Sequence, residues 1–234
     1  MKILDPLRQE LKQNSNKNGQ ITAQRFFKEP VKVYGIKTAL VTQLGKKYFK
    51  LIQSKNKLNI FGLCENLWQS GYMEESFIAC NWSYALRKQF QPNDFKIFEK
   101  WLSKYVDNWA SCDTFCNHTI GEILMMYPQL LKYLTSWTKS KNRWVKRGVA
   151  VSLIVPARKG LFLKEIFEIA QLLLIDEDDM VQKGYGWALK VASQTYQQEV
   201  FEFVMANKTS MPRTALRYAI EKMPKELKKI AMAK

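Results

Sequence analysis

A short pattern recurs five times along the chain and constrains its fold more than any other feature. Each copy opens with Met or Trp and ends seven positions later on an apolar residue, and the first residues are 36, 35, 36 and 31 positions apart. A period of this size is typical of helical-repeat proteins, in which a unit of two antiparallel helices buries its apolar face only against its neighbours. The copies occupy residues 73–80, 109–116, 144–151, 180–187 and 211–218.

The rest of the sequence supports a helical interpretation. Apolar residues recur at helical spacing, and no segment shows the alternation of a half-buried strand. We expect an all-α protein, a HEAT-like α-solenoid of about six antiparallel helix pairs whose second helices begin at the repeated segments and line a concave basic face. Residues 1–234 should form a single repeat domain, with capping helices in 1–30 and a loop at 13–20. Predicted helix N-caps are Asp94, Asp179 and Ser210.

Composition favours a nucleic-acid partner. Lys and Arg number 37 against 21 acidic residues, which gives a net charge of +16, and such an excess favours polyanions. No apolar stretch approaches the ~18 residues that span a bilayer, so we expect a cytoplasmic protein without a membrane partner. The four cysteines should be free, mostly buried thiols. Cys112, Cys116 and His118 match no standard zinc spacing, so no metal is expected.

One position of the repeated pattern carries an unusual residue. The fifth residue of the copies is Phe77, Asp113, Gly148, Gly184 and Ala215 in turn, so only one copy has a carboxylate there. Residues four apart share a helix face, which places Trp109 beside Asp113. Asp113 is thus a candidate catalytic residue, although an ion pair with Arg147 would also explain it.

Aromatic and basic residues extend this candidate site. Trp187 ends the fourth copy, and cations at the starts of three successive helices would form a stripe that follows a phosphate backbone. Tryptophan is more often a core residue, and exposed cations are common on any helix. The predicted DNA-binding cations are Arg143, Lys146, Arg147, Lys183, Arg213 and Arg217.

Three separated motifs carry a resemblance to a known family. They are Trp109-Ala-Ser-Cys-Asp113, Asn142-Arg-Trp-Val-Lys-Arg147 and Gln182-Lys-Gly-Tyr-Gly-Trp187. In this order they resemble the bacterial DNA alkylation repair family of AlkD-like HEAT-repeat DNA glycosylases, and the resemblance covers essentially the whole chain.

The resemblance implies a reaction and roles for the matched residues. Members excise cationic N3- and N7-alkylated purines from duplex DNA, without a cofactor. Asp113 would stabilise the oxocarbenium-like sugar, the indoles of Trp109 and Trp187 would flank it, and Arg147 would hold a phosphate. Phe26 occupies the place of a DNA-facing tyrosine in several relatives, so it keeps a stacking face and loses a hydroxyl.

Three functions remain open at this point. The leading hypothesis is a monomeric, monofunctional alkylpurine DNA glycosylase, because the matched positions supply no nucleophilic amine for a lyase step. The alternative is a non-catalytic binder of duplex or branched DNA that uses the same basic groove. A protein-interaction solenoid is the third, and the net charge of +16 disfavours it unless its partner is acidic.

Overall fold

The computed structural model describes residues 3–233 as helices joined by turns. No β-strand occurs within that range, which confirms the all-α prediction. The chain divides into two compact units, Met1–Phe115 and Cys116–Lys234. That residues 1–234 form one repeat domain, and that the helix pairs make a curved solenoid with a concave basic face, stay predictions.

The first unit contains seven α-helices within its described residues, and the predicted capping region holds the first two. The helices are α1 (Leu4–Gln13), α2 (Lys17–Gln24), α3 (Thr38–Leu51), α4 (Lys57–Gln69), α5 (Met73–Ala85), α6 (Asp94–Tyr105) and α7 (Trp109–Phe115), with a 3-10 turn at Arg87–Gln89.

Helices α3, α5 and α7 of the first unit pack side by side. Gly45 on α3 faces Ile78 of α5, and a Cβ there would lie 3.4 Å from the Ile78 side chain, which is ordinary van der Waals contact. The indole nitrogen of Trp82 donates to the Gly45 carbonyl at 2.9 Å. Helix α7 is fixed to α5 by a hydrogen bond of 2.6 Å between Ser76 Oγ and Ser111 Oγ. These contacts set the position of the first turn of α7.

Helices α4 and α6 of the first unit also pack together. Phe98 and Trp101 of α6 are fully buried and make ring contacts with Phe61 of α4. At the edge of this cluster Glu65 accepts hydrogen bonds from Lys100, Trp101 and Tyr105. Burial opposes ionisation of Glu65, but the three donors outweigh it and lower the pKa to about 2.

The second unit begins with a π-helix, Cys116–Ile120, directly after α7. Its α-helices are α8 (Gly121–Met126), α9 (Leu134–Trp137), α10 (Arg143–Val151), α11 (Ile154–Arg158), α12 (Leu163–Leu172), α13 (Asp179–Ala192), α14 (Gln197–Asn207), α15 (Arg213–Ala219) and α16 (Lys225–Met232), with a 3-10 segment at Pro128–Tyr133.

Small residues bring α10, α13 and α15 into close contact. A Cβ on Gly184 would lie 3.3 Å from Cγ of Arg147. A Cβ on Gly186 would lie 2.9 Å from the carbonyl oxygen of Ala215. Glycine at position 186 therefore lets α13 and α15 approach more closely than any larger residue would allow, while Gly184 leaves only narrow space beside the Arg147 side chain.

The repeated segments do mark helix starts. Met73 and Trp109 are the first residues of α5 and α7, Trp144 and Met180 are the second residues of α10 and α13, and Met211 lies two residues before α15. This agreement confirms the period-based placement of these helices.

Several local predictions were wrong. The predicted loop at 13–20 is helical from Lys17, because the Asn16 side chain accepts from Gly19 N at 2.7 Å and caps α2. Asp178, not Asp179, caps α13 by accepting from Met180 N at 2.8 Å. The N-caps of α6 and α15 are Asn93 and Pro212, neither of which makes a side-chain capping bond.

Candidate nucleic-acid interface and active site

The candidate catalytic pair lies on α7. Trp109 is the first residue of that helix and Asp113 follows one turn later, and both are half-buried. Asn108 precedes the helix, is buried, and caps it by accepting from Ser111 N at 2.9 Å. Both residues therefore belong to α7, and the sharing of one face by their side chains stays a prediction.

The indole of Trp109 contacts the segment that follows α2. Its ring stacks on Phe27, with centroids 5.3 Å apart and an interplanar angle of 22°. Its Nε1 donates to the Phe26 carbonyl at 3.2 Å, while the Phe26 side chain is 69% exposed. The structure thus brings together two residues that the sequence proposed for the site. It adds Phe27, which the sequence had not proposed as a site residue.

A groove of about 700 Å³ opens beside Trp109. Its aromatic and apolar wall includes Phe26, Phe27, Met73 and Phe77, and its polar rim includes Asn18, Thr22, Lys37 and Thr38. Met73 and Phe77 occupy the first and fifth positions of the preceding repeat. Equivalent positions of two neighbouring repeats, Met73 and Trp109, therefore contribute to one groove.

Two buried carboxylates hold a loop that lines this groove. Glu74 accepts from the backbone N–H groups of Tyr34, Gly35 and Ile36 at 3.0, 2.8 and 3.2 Å. Glu75 accepts from the Tyr34 hydroxyl at 2.8 Å and pairs with Arg8 at 2.9 Å. Burial and the hydrogen bond to Glu75 raise the pKa of Tyr34 above its ordinary value. The adjacent acids in the first turn of α5 were the only sequence sign of this network.

The remaining predicted site residues lie in the second unit. Trp187 is half-buried on α13. Arg147 on α10 is only 5% exposed, and its Nη1 donates to the carbonyl of Met180 at 2.6 Å. Arg147 therefore helps to hold α10 against α13.

Three of the predicted DNA-binding cations are paired with acids at the start of α13 or in the turn before it. Arg143 Nη2 donates to Asp178 at 3.0 Å, Lys183 pairs with Asp179 at 3.2 Å, and Lys146 pairs with Asp176. No sequence motif had indicated these acids as partners of the three cations. Their charges offset much of the positive potential expected from α10 and α13.

Helix α15 has more accessible cations. Arg213 and Arg217 are exposed, and neither has an ion-pair partner among the described residues. Of the predicted stripe in the second unit, these two guanidiniums are therefore the most available to an added phosphate.

One further sequence expectation concerns the cysteines. All four cysteines are free and buried, which confirms that prediction. No group of three or more His, Cys, Asp and Glu side chains suited to a metal ion occurs in residues 3–233. No helix of that range is long and apolar enough to cross a membrane.

These features define an all-helical protein with a stacked aromatic pair, a nearby carboxylate and exposed cations. Residues 7–223 match the model of the family described as "DNA alkylation repair enzyme". The chain belongs to that family, since the match covers most of its length.

A solved structure gives independent support for the fold. The chain is similar to one described as "Predicted DNA alkylation repair enzyme from Enterococcus faecalis", with a TM-score of 0.80 and 17% identity. The likeness covers 91% of this chain and 98% of that chain. At this identity it shows a shared fold alone. None of the curated proteins matches the chain.

Proposed function

We propose that this protein is a monofunctional DNA glycosylase that hydrolyses the N-glycosidic bond of cationic N3- or N7-alkylated purines in duplex DNA. Membership of the DNA alkylation repair enzyme family supports a role in repair of alkylation damage. The observation that carries the finer proposal is the position of Asp113 one helical turn from Trp109, which lines an aromatic groove. The chain as a whole has a net charge of +16.

The proposed hydrolysis requires a carboxylate and aromatic rings beside the sugar, and the proposed catalytic residues supply both. Alkylation gives the purine a positive charge, so the purine departs as a neutral base with the electron pair of the C1′–N bond. The deoxyribose then carries positive charge, which the Asp113 carboxylate stabilises. Water adds to C1′, and Asp113 can accept the proton that the water loses. The negative faces of the Trp109 and Trp187 rings favour the same cation.

In this proposal the predicted cations differ in how readily they can bind a phosphate. Arg213 and Arg217 are exposed and can take a phosphate directly. Arg143, Lys146 and Lys183 must exchange a carboxylate for a phosphate, so their gain is smaller. Arg147 is buried and already donates to the Met180 carbonyl, so in this proposal its guanidinium must become accessible before it binds a phosphate. Phe26 offers an exposed ring for stacking on DNA.

The decisive test is the Asp113→Asn variant. Asparagine has nearly the same shape without the charge, so single-turnover release of 7-methylguanine from duplex DNA should fall about 10²–10³-fold. Duplex affinity should be retained, because removing an acid from a DNA-facing surface reduces repulsion. Asp107→Asn is the matched control, since Asp107 is exposed six residues earlier in the chain and should tolerate the same change without loss of rate.

The outcomes separate the competing functions. Equal excision by wild type and Asp113→Asn would rule out the catalytic role of Asp113. Duplex binding without release of 7-methylguanine or 3-methyladenine by the wild type would replace the glycosylase with a non-catalytic DNA binder. A monomeric state and a cytoplasmic location stay predictions.

A further inference from the structure

The exposed face of α3 bears cations that the repeated pattern did not identify. Lys46 and Lys50 lie one helical turn apart, are exposed, and have no ion-pair partner among the described residues. Lys47 beside them is neutralised by Glu10 at 2.7 Å. Thr42 and Gln43 lie on the same side of the helix and line a shallow depression with these lysines. The face therefore combines two free charges with neutral hydrogen-bonding groups.

The opposite face of α3 holds the helix rigidly in the first unit. Val41, Leu44 and Tyr48 are buried, and α3 packs against both α1 and α5. The Tyr48 hydroxyl donates to Glu10 at 2.8 Å. Because the helix is fixed in this way, the backbone positions of its lysines are constant. Such positions are suited to binding a polyanion with regularly spaced charges.

The same helix begins at the groove beside Trp109. Lys37 and Thr38, at the start of α3, line that groove. Counting 1.5 Å per residue from Thr38, Lys46 and Lys50 lie about 12 and 18 Å along the axis. One strand of duplex DNA carries a phosphate about every 3.4 Å of the duplex axis, so with α3 parallel to that axis these distances correspond to roughly three to five nucleotides from the groove.

We propose that the exposed face of α3, with Lys46 and Lys50 as its cations, binds the phosphate backbone of duplex DNA on one side of the nucleotide that reacts beside Trp109. The inference rests on the proposed function, to which it adds a part of the DNA footprint. It differs from the predicted stripe of the second unit, where three of the six cations are paired with Asp176, Asp178 and Asp179.

The test compares the salt dependence of binding to an undamaged, fluorescently labelled duplex. Lys46→Gln/Lys50→Gln should lower the slope of log affinity against log salt by about 1.8 units, or about 0.9 for each phosphate contact. Between about 50 and 200 mM salt, the affinity of the wild type should then fall about tenfold more than that of the variant. Lys46→Arg/Lys50→Arg should retain the wild-type slope, because both charges remain.

A matched control removes the same charge elsewhere in the first unit. Lys88 and Lys96 are exposed and have no ion-pair partner among the described residues. Lys88→Gln/Lys96→Gln should therefore keep the wild-type slope. An unchanged slope for the α3 variant, or an equal loss for the control, would overturn the assignment of α3.

The failure of this inference can be told from failure of the proposed function. Release of 7-methylguanine by the wild type, together with an unchanged slope for the α3 variant, defeats only the α3 assignment. Absence of duplex binding by the wild type defeats both proposals. Circular dichroism of each variant excludes misfolding as the cause of a lower slope of log affinity against log salt.

Discussion

Three aspartates around the start of α13 decide how much charge the neighbouring cations can offer to DNA. Asp176 pairs with Lys146, Asp178 with Arg143, and Asp179 with Lys183. Each pair is partly buried, so its attraction is less screened than that of an exposed pair. A phosphate that binds one of these cations has to displace a carboxylate, and the net gain is small.

This arrangement predicts that removing one acid strengthens DNA binding. Asp176→Asn should free the charge of Lys146, raise duplex affinity several-fold at low salt, and steepen the salt slope by up to about one unit. The amide oxygen of the new side chain can still accept from the backbone N–H of Asp178, as the Asp176 carboxylate does at 3.0 Å. Salt-dependent binding titrations with the wild type and the variant measure both effects.

Glu177→Gln is the matched control for this prediction. Glu177 is exposed beside Asp176, and it has no ion-pair partner among the described residues. Its removal changes the net charge equally without freeing a lysine. Equal gains in affinity for the two variants would show that only the overall charge matters and that Lys146 does not contact DNA.

The limits of sequence-based prediction are clear for these cations. The repeat pattern placed Arg143, Lys146 and Lys183 correctly at the starts of α10 and α13. Their acidic partners could not be deduced, since Asp176 and Asp178 meet α10 only when helices some thirty residues apart in the chain pack together. The stacking of Phe27 on Trp109 depends likewise on a contact between residues 82 positions apart.

At the level of helices, periodicity was more informative than local capping signals. The five repeated segments predicted helix starts to within two residues, because their register is set by which face is buried. The predicted caps Asp94, Asp179 and Ser210 were displaced by one or more positions. Several acidic and small polar residues lie near each helix start, and propensity alone does not choose among them.

The contact between α13 and α15 gives a prediction for a single helix pair. On Gly186, a new Cβ would lie 2.8 Å from Cβ of Tyr218 and 2.9 Å from the Ala215 carbonyl. Because backbone atoms cannot yield cheaply, Gly186→Ala should lower the free energy of unfolding by about 1–3 kcal/mol. Urea denaturation followed by circular dichroism provides the measurement.

Gly62→Ala serves as the control for the same substitution. Gly62 is an interior residue of α4, and a Cβ there meets nothing within 4 Å. Alanine should raise stability by about 0.5–1 kcal/mol at this position, because it has the higher helix propensity. If both variants are stabilised, α13 and α15 are not packed as closely as the structure indicates.

For the whole molecule, the sequence predicts one repeat domain, while the helices cluster into two compact units. The chain passes between the units where α7 is followed directly by the π-helix, without a Gly- or Pro-rich linker. In repeat proteins each structural repeat is stabilised by the repeats next to it, which couples the unfolding of neighbouring repeats. The single-domain prediction therefore implies that the whole chain unfolds cooperatively.

A single domain should unfold in one transition that responds to damage in either unit. Ile78→Ala empties a fully buried position of α5 in the first unit and should cost about 2–5 kcal/mol. Gly186→Ala should destabilise the second unit. In a cooperative protein each variant shifts the entire urea transition, and far-ultraviolet circular dichroism and tryptophan fluorescence give coincident curves.

Four tryptophans lie in the first unit and three in the second, so fluorescence reports on both. A curve with two phases, of which each variant moves only one, would show that the units unfold independently and that the single-domain prediction is wrong.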